Sequence, residues 1–136
     1  MTRIVYENLP GGLRGYHDNK TGCTHVDGRM VACDQRSTII HEWFHKILGH
    51  GPCSDVAVRM AREIAVERLT ARFLIPLPRL MEVMVTYATT AERAAALDVD
   101  ESILYARVFG LEDDEQTMFD VCARRCIGIK HGAAND

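Results

Sequence analysis

One five-residue stretch, His41-Glu42-Trp43-Phe44-His45, constrains this chain more than any other. Residues i and i+4 lie on one face only where the backbone is helical, so two imidazoles at this spacing can share a metal ion only on a helix. The H-E-x-x-H pattern sets His41 and His45 as zinc ligands, with Glu42 beside the open coordination position, where it can take a proton from an activated water. The flanking residues agree with a helix. Ile40, Phe44, Ile47 and Leu48 form one apolar stripe in helical projection, with the two histidines at its edge. Ser37 and Thr38 are suitable N-cap residues before it, and Gly49 is a suitable stop after it.

A catalytic zinc usually keeps three protein ligands and one open position. A third ligand from the pattern H-E-x-x-H-x-x-G-x-x-H would need Gly at 48 and His at 51, but the chain has Leu48 and Gly51. His50 is close in sequence yet lies past the expected helix stop. The other source is the following helix, expected from 54 or 55 to 74 and ended by Pro76 and Pro78. One of its faces collects Val56, Met60, Glu63, Glu67, Thr70 and Leu74, while Arg62, Arg68 and Arg72 point away. Carboxylates within an apolar stripe need a partner, and a metal ion is one. Spacing alone allows either Glu63 or Glu67.

The 136 residues suffice for one domain, with 47% hydrophobic and 26% charged residues, and a net charge of -3 excludes a general pull toward nucleic acid or anionic membrane. No signal peptide or membrane span is expected, since the N-terminus lacks a long apolar run. Five cysteines without a secretory signal point to reduced thiols and a cytoplasmic setting.

The expected fold class is α+β: a small antiparallel sheet over 1–35, two catalytic helices over 37–76, a helical cluster over 77–128 and a tail at 129–136, all one domain. Residues 3–6, 13–17, 23–26 and 29–33 read as short strands, with Asp27-Gly28 as the hairpin turn between the last two. Pro78 falls in the first turn of a helix over 77–88. Thr89-x-x-Glu92 is a capping box for a helix over 91–97. Asp100 caps 101–109, Gly110 stops it, and a last helix covers 112–126.

Taken together, HEWFH, the run from Glu63 to Glu67, and Leu69-Thr70-Ala71-Arg72-Phe73-Leu74-Ile75-Pro76 resemble the ImmA/IrrE family of zinc metallopeptidases, over about residues 29–80. Val66, Glu67 and Leu69 stand where the family has Ala, Asn or Asp, and Phe. The resemblance implies a minimal gluzincin-like fold, with Zn2+ on His41, His45 and Glu63 and with Glu42 as general base. Glu67, one turn on, would orient a ligand imidazole. It also implies a peptide or protein substrate, in many members a helix-turn-helix repressor, with members common in phages and mobile elements, hence a host cytoplasm. No specific nucleic acid and no membrane partner are expected.

Two other readings compete. Residues 91–110 have a helix-turn-helix rhythm, but Arg107 is the only basic residue on the expected recognition helix, and phosphate contacts need several cations. A zinc-binding interaction protein without catalysis would have no use for Glu42. His50, Tyr87, Tyr105 and His131 are candidates for oxyanion stabilisation.

Overall fold

Three short strands lead the chain into its helices. In the computed structural model, which describes residues 3–133, the order is three strands followed by six helices, an α+β chain. It divides into two compact units, Met1–Leu74 and Ile75–Asp136.

In the first unit, β1 (Arg3–Glu7), β2 (Gly15–Asp18) and β3 (Cys23–Asp27) form a sheet of order β1-β3-β2. Thr24 and Val26 of the central strand are buried. β2 and β3 pair as an antiparallel hairpin. Its turn closes on Gly22, whose N–H donates to the Asp18 carbonyl at 2.8 Å and whose φ of +71° suits a residue without Cβ. β1 pairs with β3 in parallel. The sheet is therefore mixed, not antiparallel as expected.

The reason lies at Asp27-Gly28. This pair does not turn a hairpin, and residues 29–33 are not a strand. The Asp27 carboxylate accepts from the Arg29 backbone N–H at 2.9 Å and from its guanidinium at 2.6 Å, while the guanidinium also reaches the Leu9 carbonyl at 2.8 Å. These bonds hold the Asp27 carboxyl well below the usual carboxylate range, the Arg29 side chain contributing most. Gly28 N–H donates to the Glu7 carbonyl at 3.0 Å, so the turn is tied to β1 and delivers the chain into a helix.

That helix, α1 (Ala32–Ile47), starts before the expected caps; its N-cap Val31 makes no side-chain cap bond. Ser37 and Thr38 lie inside α1 and are buried, and the Ser37 hydroxyl donates to the Cys33 carbonyl at 3.1 Å. They, and not the expected stripe, make its buried face: Ile47 and Leu48 remain exposed. Small side chains win because α1 approaches the sheet closely. A Cβ placed on Gly15 would sit 2.7 Å from Thr38 Cγ2 and 2.8 Å from the His25 carbonyl oxygen. Gly15→Ala is therefore expected to destabilise the chain by about 1–3 kcal/mol, the usual range for overpacking. Denaturant unfolding checks this; an unchanged midpoint would refute the close approach.

Gly49 ends α1 as expected, at φ +68°. Its N–H donates to the Lys46 carbonyl at 3.1 Å, and His50 N–H donates to the His45 carbonyl at 3.0 Å. This is the Schellman pattern, which folds the chain back over the last turn. α2 (Val56–Leu74) follows, with Asp55 accepting from Val58 N–H at 3.1 Å at its start. Its buried residues are Val66, Thr70 and Ala71. Val56 and Met60 of the expected buried face are exposed, so the N-terminal half of α2 does not bury the stripe that its periodicity suggests.

The second unit contains α3 (Leu77–Thr86), α4 (Thr90–Leu97), α5 (Glu101–Phe109) and α6 (Asp113–Ala133). Thr89 and Asp100 cap α4 and α5, accepting from Glu92 and Ile103 N–H. Leu80, Val83, Ala94, Ile103 and Leu104 are buried. Arg107, which a DNA-reading helix would need at its surface, is 2% exposed; it donates to both Glu115 carboxylate oxygens at 3.1 and 2.6 Å and to the Ile75 carbonyl at 2.7 Å. α6 runs on past the expected end at 126 and takes up most of the expected tail, because a glycine within a helix weakens it without stopping it. Among the described residues no helix is long and apolar enough to cross a membrane. Cys23, Cys33, Cys53 and Cys122 are free thiols.

Candidate metal centre

His41 and His45 project from the last turns of α1, and Glu63 meets them from α2. His41 Nε2 lies 3.1 Å from His45 Nε2. The Glu63 carboxylate spans the pair, with Oε2 3.0 Å from His41 Nε2 and Oε1 3.0 Å from His45 Nε2. Among the described residues, these three form the group of side chains that could hold a metal ion. The spacing suits zinc: with bonds of about 2.0–2.1 Å, the edges of a tetrahedral site are roughly 3.3 Å. Two imidazole nitrogens and a carboxylate converging on one point are a mostly lone-pair donor set, and a cation would satisfy all three. The residues fit the ion.

Of the sequence candidates, then, the structure brings together His41, His45 and Glu63. Glu63 does not sit in an apolar stripe; its side chain is 56% exposed and borders an open cleft. Glu67, one turn on, is half-buried and makes no hydrogen bond to His41 or His45 among the described residues. The ring of His45 is instead met by His50: the two Nδ1 atoms are 2.9 Å apart. Because one nitrogen must donate and the other accept, a neutral His45 that donates from Nδ1 keeps its Nε2 lone pair for the metal position. His50 reaches this place through the Gly49 turn. A helix continued past Leu48 would have carried it elsewhere.

Glu42 points into the same cleft, a space of about 240 Å³ lined also by Tyr16 and His17 of β2. The His17 backbone N–H donates to the Glu42 carboxylate, which fixes the group against the sheet. Burial, followed by the nearby charge of Glu63, pushes the Glu42 carboxyl up to about 7. A carboxylate so placed is matched to proton transfer near neutral pH. Burial is also the leading cause that lowers the His45 pKa, which favours the neutral, ligating form.

Several cleft residues carried no signal in the sequence. Tyr16 and Asn19 belong to the hairpin before α1, Lys46 and Arg59 look like ordinary helix-surface cations, and Arg62, expected to point away from the Glu63 face, lines the cleft together with Glu63. Only the fold brings them to one opening. Tyr87 and Tyr105 lie in the second unit, and the side chain of His131 is outside the described residues.

No protein-family model matches the chain, and comparison with curated proteins and with solved structures likewise gives no match.

Proposed function

We propose that the chain is a zinc-dependent endopeptidase that hydrolyses a peptide bond in a protein substrate. The observation that carries this reading is the meeting of His41, His45 and Glu63 at 3.0–3.1 Å beside the raised carboxyl of Glu42. Zinc held by the three would supply Lewis-acid activation of a water and of the substrate carbonyl. Glu42 then accepts the proton of the attacking water and passes it to the leaving amine. The His17 N–H holds Glu42 in place for both transfers, and His50 holds the His45 ring. β2 is an edge strand beside the cleft, so an extended peptide can add to it and pass the reacting groups. This is the chemistry of the ImmA/IrrE family that the sequence resembles, and a helix-turn-helix repressor in a host cytoplasm is the substrate that likeness suggests.

Elemental analysis tests the reading. Protein purified without added metal and then incubated with zinc at neutral pH is expected to hold one zinc per chain. Failure to retain any transition metal would remove the proposal.

A second experiment tests His50. Partners of a metal-bound histidine typically contribute 10–100-fold in affinity or activity. His50→Ala is therefore expected to weaken zinc binding by about tenfold or more. His50→Asn, which keeps an acceptor near the Nδ1 position, should recover most of it. Equal affinity for His50→Ala and the parent would show that His45 needs no such partner.

A further inference from the structure

The cleft has a charge that the chain as a whole does not. The protein carries a net charge of -3, yet three cations, Lys46, Arg59 and Arg62, line the opening together with two carboxylates, Glu42 and Glu63. In the endopeptidase reading, on which this inference rests, the charge of Glu63 is balanced by the metal ion, so the three cations outnumber the remaining carboxylate. A bound substrate then meets a cationic surface.

Arg59 stands one helical turn before Glu63, and residues at this spacing share a face with Cβ atoms about 5–6 Å apart. Its side chain is exposed and has no hydrogen-bond or ion-pair partner among the described residues. Arg62 gives one N–H to the Gly51 carbonyl at 3.2 Å, on the loop bordering the cleft, and leaves the rest of its guanidinium fork open. Two guanidinium groups beside a peptide site suit carboxylates, which they can grip through paired N–H bonds.

We propose that the cleft selects peptide segments carrying Asp or Glu within two residues of the scissile bond, with Arg59 and Arg62 as the selecting groups. The reach follows from dimensions. An extended peptide advances about 3.3 Å per residue, so a side chain one or two positions from the reacting carbonyl comes level with Arg59. Lys46 adds to the field on the α1 side of the same opening.

The test uses the zinc-loaded full chain and a synthetic peptide mixture of randomised sequence, with cleavage positions read by mass spectrometry. Wild type is expected to enrich Asp and Glu within two residues of the cut. A double charge reversal, Arg59→Glu with Arg62→Glu, should lower kcat/KM for acidic peptides by about tenfold, mostly through KM, and shift the preference toward Lys and Arg. Inversion of preference is a readout that loss of folding does not produce. The same pair of substitutions in a Glu42→Gln background gives a readout free of turnover: anisotropy of a labelled acidic peptide should report weaker binding than in Glu42→Gln alone, and that of a labelled basic peptide stronger. Cleavage without acid enrichment, or peptide binding indifferent to the reversal, overturns this inference and leaves the endopeptidase reading in place. No cleavage of any peptide by zinc-loaded wild type overturns both.

Discussion

Glu42→Gln is expected to reduce peptide hydrolysis by roughly a hundredfold or more while leaving zinc content unchanged, the usual scale for removing a general base. The amide keeps the size of the side chain, and none of the three converging ligand atoms belongs to residue 42. What it cannot do is accept a proton. The parent protein should lose activity as pH falls, because the base works only when ionised.

The same substitution has a second, independent signature. Burial raises the Glu42 carboxyl from 4.5 to about 7, so the metal-free folded chain binds this proton more tightly than the unfolded chain does. The stability this contributes is present below the unfolded value and is lost as pH rises toward 7. Metal-free Glu42→Gln should therefore melt above the metal-free parent at pH 8, with the gap closing near pH 4–5. Discounted for the water that still reaches the carboxyl, the gap at high pH is about 1–2 kcal/mol. Thermal melts across this range read it directly. Full hydrolytic activity of a zinc-loaded Glu42→Gln protein would sink the assigned role, whatever the melts show.

The other large effect separates Glu63 from Glu67. Both carboxylates are on α2, one turn apart, and only Glu63 touches both imidazoles, at 3.0 Å each. Glu63→Ala takes away one of three donors and the negative charge nearest the ion, so zinc should be lost under mild chelation. The expected fall in affinity is beyond the 10–100-fold typical of residues that merely support a ligand. Glu67→Ala removes a group with no bond to either histidine and should stay within about tenfold of the parent. Competitive zinc titration of the two variants decides between them. A much weaker Glu67→Ala with a near-parental Glu63→Ala would show that the third ligand had been misassigned, leaving the pair on α1 untouched.

Local signals were the legible part of this chain. Thr89, Asp100, Gly49 and Pro76 act on backbone groups within a few residues of themselves, and the caps, stops and helix limits they mark are those observed. The two histidines are likewise local, since a single helix brings them together. Readings that assumed a tertiary partner were less secure. Asp27-Gly28 has the composition of a hairpin turn, but its fate depended on Arg29 reaching back to Leu9 and on the hydrogen bond from Gly28 to Glu7. The apolar stripe of α1 was sound as periodicity and only half realised as packing: Ile40 and Phe44 are half-buried, Ile47 and Leu48 are exposed, and Gly15 of the sheet receives Thr38 instead.

By itself, then, the sequence determined a helix with two imidazoles and a carboxyl at its end, the Gly49 stop that ends it though not its start, and an α+β chain. Each of these depends on contacts between neighbours in the chain. Spacing left Glu63 and Glu67 open and the family resemblance favoured Glu63; the tertiary structure places Glu63 against both histidines, sets the His50 ring on His45, and brings Arg59 and Arg62 to the border of the cleft. The packing of α2 against α1 joins distant segments, and no spacing along one helix encodes it.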